Sequence, residues 1–350
     1  MIRLPWVAAV ALCCPVLGGC SILGVVFGTS ERHQPPAEAV VAPPNPENKR
    51  VSPRLSLGEM PSYEPAVDLS GKITSIGAST TTNLVARVAA EFKRMHPNVT
   101  LEVTASLVSI GPQALLAGRA DIVPISRPLT PGEIKDFATK YGYPPTEIKV
   151  ASDALAIYVE KRNPVAGLTL EQLDGIFSRT QRRGGSSIET WGQLGLTGEW
   201  TDRLIALYGY GPEDGAHQIF QEEVLDGGAF RLSLRVEGGG SSIVQGVAAE
   251  VGAIGFASNF FTAKRVRAVP LAGADGRFQA PTVENVHNRK YSLIRFLTIC
   301  VNNPPGQPFG GPAAEFLRFL LSQEGQQVVA DGGNIPLDAA TVAEGRRAME

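Results

Sequence analysis

"PNVTLEVTASLVSIGPQALLAGRADIVPISRPL", Pro97 to Leu129, decides the fold class of this chain. Val99, Leu101 and Val103 alternate with polar residues, the period-two pattern of a strand that buries one face. "GPQALLAGR", Gly111 to Arg119, follows as a short helix, and "ADIVPIS", Ala120 to Ser126, is a second apolar run of strand length. Strand, helix and strand in so short a span make an α/β unit, whose helix must cover the sheet that its flanking strands enter.

The same alternation continues on both sides. Upstream, "KITSIGAS" (Lys72 to Ser79) reads as a strand ending in a small-residue turn, and "TTNLVARVAAEFKRMHP" places Leu84, Val88, Ala89 and Phe92 at helical spacing. Downstream, "DALAIYVEK" (Asp153 to Lys161), "RLIALYGY" (Arg203 to Tyr210) and "GAIGFAS" (Gly252 to Ser258) read as strands. "TLEQLDGIF" (Thr169 to Phe177) and "SSIVQGVAAEV" (Ser241 to Val251) read as helices. "PAAEFLRFLLSQEGQQVVADGG", Pro312 to Gly333, is predicted as one long amphipathic helix.

With 350 residues, 43% hydrophobic and 19% charged, the chain has room for sizeable cores. A net charge of −2 and the lack of any Lys/Arg block give no electrostatic case for nucleic acid. An anion must therefore be held by local geometry. The four histidines, His33, His96, His217 and His287, show no metal-ligand spacing, and no Walker A, GxGxxG, HExxH or paired CxxC motif occurs. No metal, cofactor or enzymatic activity is expected. "EGGGSS", Glu237 to Ser242, reads as a turn and helix cap.

The N-terminus has a separate logic. Arg3 precedes an apolar run, Val7 to Leu17, too short to span a bilayer comfortably, and residues 1–19 are read as a targeting segment. "LGGC", Leu17 to Cys20, resembles the lipobox of bacterial lipoproteins, which implies cleavage before Cys20 and lipidation of its thiol. The competing reading is a plain secretory signal that contains cysteine. Either places the protein in the cell envelope, and the first adds an anchor to the lipid bilayer and a periplasmic lipoprotein. Cys13 and Cys14 leave with the segment and Cys20 would be lipidated, so Cys300 is left with no intrachain disulfide partner. Residues 20–70, with eight prolines from Glu31 to Ser70, read as a semi-rigid tether. The folded domain is expected over 71–350.

Several blocks together resemble the PstS-type phosphate-binding proteins of ABC importers, within the type 2 periplasmic binding fold. "GAST" (Gly77 to Thr80) resembles their G-[AS]-[ST]-[ST], and Pro97 to Leu129 resembles their PNVTVxVxxxGSGxGxxALxxGxADIxxxSRxL. "LTLEQLDGIF", "VAAEVGAIGFAS", "PTVENVHNRKYSLIRFLTICVNN" and "FLRFLLSQEGQQVVADGGNIPL" resemble further blocks in the family's order, covering roughly Lys72 to Leu337. The resemblance implies an α/β protein of two lobes with the ligand between them. Lobe 1 is expected over about 71–152 and 256–350, and lobe 2 over about 153–255. Phosphate or a related oxyanion is the implied ligand, and ABC permease subunits are the implied partners.

Carried over position by position, the resemblance makes Ser79, Thr80, Ser126 and Arg127 ligand-binding residues. Two loops depart from it. Where the family has G-S-G-x-G, this chain has "SLVSIGP", Ser106 to Pro112, with Val108 at the serine position and Ser109 or Ser106 as substitutes. Where the family has G-R-x-x-G-S-G-T-R-x-x-F, this chain has "GYGPEDGAHQIF", Gly209 to Phe220. There Tyr210 replaces arginine, Asp214 serine and Ala216 threonine, His217 replaces the second arginine, and Gly215 is kept. Asp214 or Glu213 is expected to cap the following helix. Asp214 and Gly215 remain candidates beside the ligand. The sequence thus supports an oxyanion-binding lipoprotein, or an envelope-tethered module whose altered clasp takes another small ligand or a protein partner.

Overall fold

A computed structural model describes residues 59–350, without the side chains of Ser79 and Thr80. The targeting segment, Cys20 and most of the proline-rich stretch lie outside the described residues. The expected tether ends earlier than residue 70, because its last part is docked. Met60 is buried, the Pro61 carbonyl accepts from Gln323 N at 3.0 Å, and Tyr63 Oη meets His96 Nε2 at 2.6 Å. Apolar and aromatic side chains in a proline-rich run can bury area against a core, which a solvated tether cannot.

The opening elements follow the predicted alternation: β1 (Gly71–Ala78), α1 (Ser79–Met95), β2 (Val99–Ser106), α2 (Ile110–Leu116), β3 (Val123–Ile125) and α3 (Pro131–Tyr141). β1 and β2 pair in parallel with Gly71 opposite Val99, so α1 is their crossover. Gly111 has to be glycine: an added Cβ would lie 2.6 Å from Val123 and 3.0 Å from the Ile76 carbonyl, so only a bare backbone lets α2 sit on β1 and β3.

β4 (Thr146–Glu160) is longer than the predicted strand and organises the molecule. Its first part, up to Ala154, pairs with β11 (Ile294–Val301); from Leu155 on it pairs with β7 (Ala253–Ser258) and β8 (Val266–Val269). It is buried on both faces from Val150 on, so its later part reads as a continuous apolar run without alternation. Between β4 and β7 come α4 (Leu170–Phe177), β5 (Ala206–Tyr210), α5 (Gly215–Glu223), β6 (Arg235–Glu237) and α6 (Gly240–Ala249). After β8 come β9 (Leu271–Ala272), β10 (Phe278–Gln279) and α7 (Val283–His287), then β11, α8 (Gly311–Leu320), α9 (Gln323–Asp331) and α10 (Ala339–Arg347). The main sheet runs β3-β11-β4-β7-β5-β6, with β8 also on β4.

Two large cores flank the point where β4 changes partners. Ile73, Leu84, Phe92, Leu297, Phe316 and Phe319 belong to one. Phe177, Trp191, Phe220, Phe256, Tyr291 and Leu293 belong to the other. Residues 256–293 therefore pack with the second core, and the chain returns near Ile294 instead of the expected residue 256. The reason is that β7 and β8 both pair with the later part of β4, which keeps everything up to Leu293 on that side.

The predicted C-terminal helix is also divided. α8 ends at Leu320, and Ser322 starts α9 by accepting from Gly325 N at 3.1 Å while donating to the Phe319 carbonyl at 2.7 Å. A serine that satisfies both helix ends makes the break as stable locally as continuation. Cys300 is free and buried in β11.

Candidate functional site

A cavity of about 280 Å³ opens between the β2–α2 turn, the β5–α5 loop and the start of the β6–α6 connection. A Cβ built on the lining residue Gly215 would lie close to Ser126 Oγ and 3.1 Å from the Ser126 carbonyl oxygen, so the end of β3 and the start of α5 already touch. Leu107, Val108 and Val236 give it apolar walls, and Glu213, Asp214 and Glu237 give it three carboxylates. Among the described lining residues there is no lysine or arginine.

The predicted residues are only partly brought together. Ser126 and Gly215 are in contact, and Asp214 lines the cavity beside them. Ser79 and Thr80 open α1, next to the lining residue Ala78, and their side chains lie outside the described residues. Ser109 is not among the lining residues; Ser106, Leu107 and buried Val108 face the cavity from that turn. Asp214, and not Glu213, is the cap of α5, accepting from Ala216 N at 2.7 Å.

Arg127 departs most from expectation. Its guanidinium is buried and clamped by Glu133 through contacts of 2.8 and 2.7 Å, with a further bond to the Pro128 carbonyl at 2.7 Å. Burial alone would raise the Glu133 carboxyl, but the bonds from Arg127 and Thr130 outweigh it and hold it below the usual carboxylate range. Glu133 also completes the capping box of α3 with Thr130. A carboxylate placed there by helix capping thus takes the arginine that the resemblance assigned to a ligand. His217 likewise turns inward: its Nδ1 donates to the Tyr210 carbonyl at 2.8 Å, its ring packs on Phe230, and burial lowers its pKa.

Cationic charge reaches the cleft by another route. Arg295 on β11, 5% exposed, donates from Nε to Asp153 Oδ2 at 2.7 Å and from Nη1 to the Ser126 carbonyl at 3.3 Å. Asp153 on β4 is fully buried and also accepts from Ser258 Oγ on β7. The pair therefore sits where β4 exchanges β11 for β7. Arg295 Nη2 has no partner among the described residues. Nor does the hydroxyl of Tyr210, a cavity-lining residue that is 2% exposed; the Ser258 amide approaches it without completing a hydrogen bond. Two buried donors left unsatisfied are costly unless something else meets them.

Sequence reasoning missed Asp153 and Arg295, although a signal was present. Each is a lone charge in an apolar strand run, "SDALAIYV" and "YSLIRFLTI". A buried charge has to find its opposite, so the two runs predict each other as neighbours.

Asp214 titrates against the fold. Burial holds its carboxyl above the ordinary range, although the Ala216 amide and the Arg295 charge pull it down. Folding thus holds the proton more tightly than the unfolded chain does, so stability falls as pH rises from the unfolded value through the raised folded one. Asp214→Asn keeps a capping oxygen and cannot ionise. The variant should melt with the parent below about pH 3.5 and above it near pH 7. Thermal melts across this range check it; a parent protein that gains on the variant as pH rises would refute the assignment.

Residues 63–324 match the PBP superfamily domain. The chain is 40% identical to the phosphate-binding protein PstS of Pseudomonas aeruginosa over 282 residues, 80% of this chain and 87% of that one. It is 28% identical to the protein SphX of Synechococcus elongatus over 271 residues, 76% and 78% of the two chains. Among solved structures it resembles a putative phosphate ABC transporter substrate-binding protein with bound phosphate from Clostridium perfringens, with a TM-score of 0.62 and 26% identity over 77% of this chain and all of that one. An ABC-type phosphate transport receptor from Vibrio cholerae gives a TM-score of 0.61 and 26% identity over 76% of this chain and all of that one.

Proposed function

Because the chain belongs to the PBP superfamily, among the PstS-type phosphate-binding proteins, we propose that it is a solute receptor of the cell envelope. It holds a phosphate-type oxyanion in the cleft and passes it to an ABC permease, without chemistry of its own. Cys20 would keep it at the membrane, and among the described residues no helix is long and apolar enough to cross one.

The observation that carries this reading is the pair of unsatisfied buried donors, Tyr210 Oη and Arg295 Nη2: Tyr210 lines the cavity, and the Arg295 charge acts on both Tyr210 and the lining residue Asp214. They replace the arginine, serine and threonine that the family's pattern would supply at Tyr210, Asp214 and Ala216. A buried guanidinium is the stronger of the two, since hydrogen bonds to charged groups contribute about 1.5–3 kcal/mol. Asp214 beside them suits a protonated oxyanion, whose O–H can donate to its carboxylate. Closure can use β4, the one strand among the described residues that runs through both pairing regions.

Calorimetric titration of phosphate into protein stripped of bound solute tests the reading. Tyr210→Phe removes the hydroxyl and little else, so it should weaken binding by roughly 3- to 10-fold, the worth of one neutral hydrogen bond. Unchanged affinity in that variant would remove Tyr210 from the site. The absence of saturable binding of phosphate or any phosphate-bearing solute would remove the reading itself.

A further inference from the structure

We propose that the oxyanion is held at the N-terminus of α6, by the backbone amides of Gly240, Ser241 and Ser242 together with the Tyr210 hydroxyl. This rests on the reading above and names the part of the chain that takes over from the altered loop between Gly209 and Phe220.

The topology puts two helix starts side by side. β5 and β6 pair in parallel, and Tyr210 at the end of β5 stands opposite Glu237 at the end of β6. The connections to α5 and α6 therefore leave from the same edge of the sheet, the carboxyl ends of its strands, where open α/β sheets bind ligands. Each helix start carries amides with no partner inside the helix, at the positive end of its dipole. At α5 that place is taken: the Asp214 carboxylate accepts from Ala216 N, and Gly215 lies against Ser126. At α6 it is open. The cap is Gly239, which has no side chain, and the Ser242 hydroxyl turns away to donate to the Gly239 carbonyl at 2.8 Å. The amides of Gly240, Ser241 and Ser242 meet no acceptor among the described residues. "EGGGSS" thus forms the expected turn, but no side chain caps the helix that follows.

The second observation is the Tyr210 hydroxyl. Tyr210 is 2% exposed, its hydroxyl has no partner among the described residues, and a Cβ built on Gly240 would lie 2.6 Å from it. The hydroxyl is therefore aimed at the first residue of α6, and only glycine lets backbone and hydroxyl approach so closely. In front of Gly238 and Gly239 there is room: apart from chain neighbours, no heavy atom lies within 4 Å of a Cβ built on either. The cavity reaches this opening at Gly238, and Tyr210 lines it. A buried phenol beside free amides at a helix start is an arrangement of donors that suits an anion. It needs no cationic side chain, and the described lining residues include none. Glu213, Asp214 and Glu237 line the same cavity, so these donors act against nearby negative charge and favour the protonated oxyanion over the dianion.

Gly239→Asn tests the proposal, because the new side chain would cap α6 as Asp214 caps α5 and take the Ser241 or Ser242 amide without adding charge. Gly239 is extended, with φ at 167° and free space at its Cβ, so asparagine and alanine are both accommodated. The full chain, stripped of bound solute, is titrated calorimetrically with inorganic phosphate and melted in its absence. The expected result is that Gly239→Asn melts no lower than Gly239→Ala yet binds phosphate at least ten-fold more weakly, the equivalent of one charge-assisted hydrogen bond. A damaged fold would lose stability and affinity together. Ser241→Pro is the second variant: it removes one amide in the first helical turn, where proline is tolerated. It should bind phosphate at least ten-fold more weakly than Ser241→Ala, which keeps the amide. Equal affinity within either pair overturns the proposal and leaves the oxyanion receptor standing. No saturable phosphate binding by the parent protein overturns both.

Discussion

Replacing Arg295 with methionine should cost the protein about 3–5 kcal/mol, the usual penalty for removing one partner of a buried ion pair. Asp153 is fully buried, and without the guanidinium it keeps only the Ser258 hydroxyl to stabilise its charge. For a folded region of this size the loss corresponds to a drop in Tm of about 6–20 °C. The double change Asp153→Leu, Arg295→Met removes both charges and should recover much of the loss, because packed apolar residues often replace a buried pair at little cost. Urea denaturation of parent, single and double variants measures this. A double variant no more stable than the single one would mean that packing, and not the unpaired charge, sets the penalty. In the single variant phosphate affinity should fall by roughly 10- to 150-fold, the equivalent of one charge-assisted hydrogen bond.

The second large effect is expected at Phe256. This residue of β7 is fully buried, stacks on Phe220 at 4.0 Å, meets Phe177 edge-on at 5.7 Å and backs the Tyr210 ring at 5.9 Å. Truncation to alanine leaves a cavity among the rings of Phe220, Phe177, Tyr210 and also Phe230, which stacks on Phe256 at 5.9 Å, and the expected loss is about 3–5 kcal/mol. Leu232→Ala is the control: that side chain is 91% exposed and should move stability by about 0.5 kcal/mol or less. Because Phe256 also supports Tyr210, ligand affinity should fall in Phe256→Ala even where the variant is fully folded. A stable Phe256→Ala protein with parental affinity would show that the aromatic cluster neither holds the second core nor positions the clasp.

The alternation of strands and helices was legible because it is written in local periodicity, period two at Val99, Leu101 and Val103 and helical spacing at Leu84, Val88 and Phe92. The family, too, was legible, since short blocks kept their order along most of the chain. The altered clasp could be read residue by residue, down to a carboxylate capping α5, because capping acts over two or three residues. Elements whose partners are distant in sequence were read less well. The first part of β4 was missed, and the division between α8 and α9 depends on a serine that serves two helix ends at once.

What the sequence determined by itself, then, is the α/β class, the two-lobed architecture and the loss of the usual anion-binding side chains. Only the tertiary structure decided which arginine is left with an unpartnered terminal nitrogen. Arg127 and Arg295 are both single cations next to apolar runs, and nothing local distinguishes them. Folding gives Arg127 to the capping carboxylate Glu133 and brings Arg295 from β11 to Asp153 on β4, beneath Ser126, with one nitrogen to spare. Long-range pairing sets that choice, because a buried charge takes the nearest carboxylate, and distance in space is not written in the order of residues.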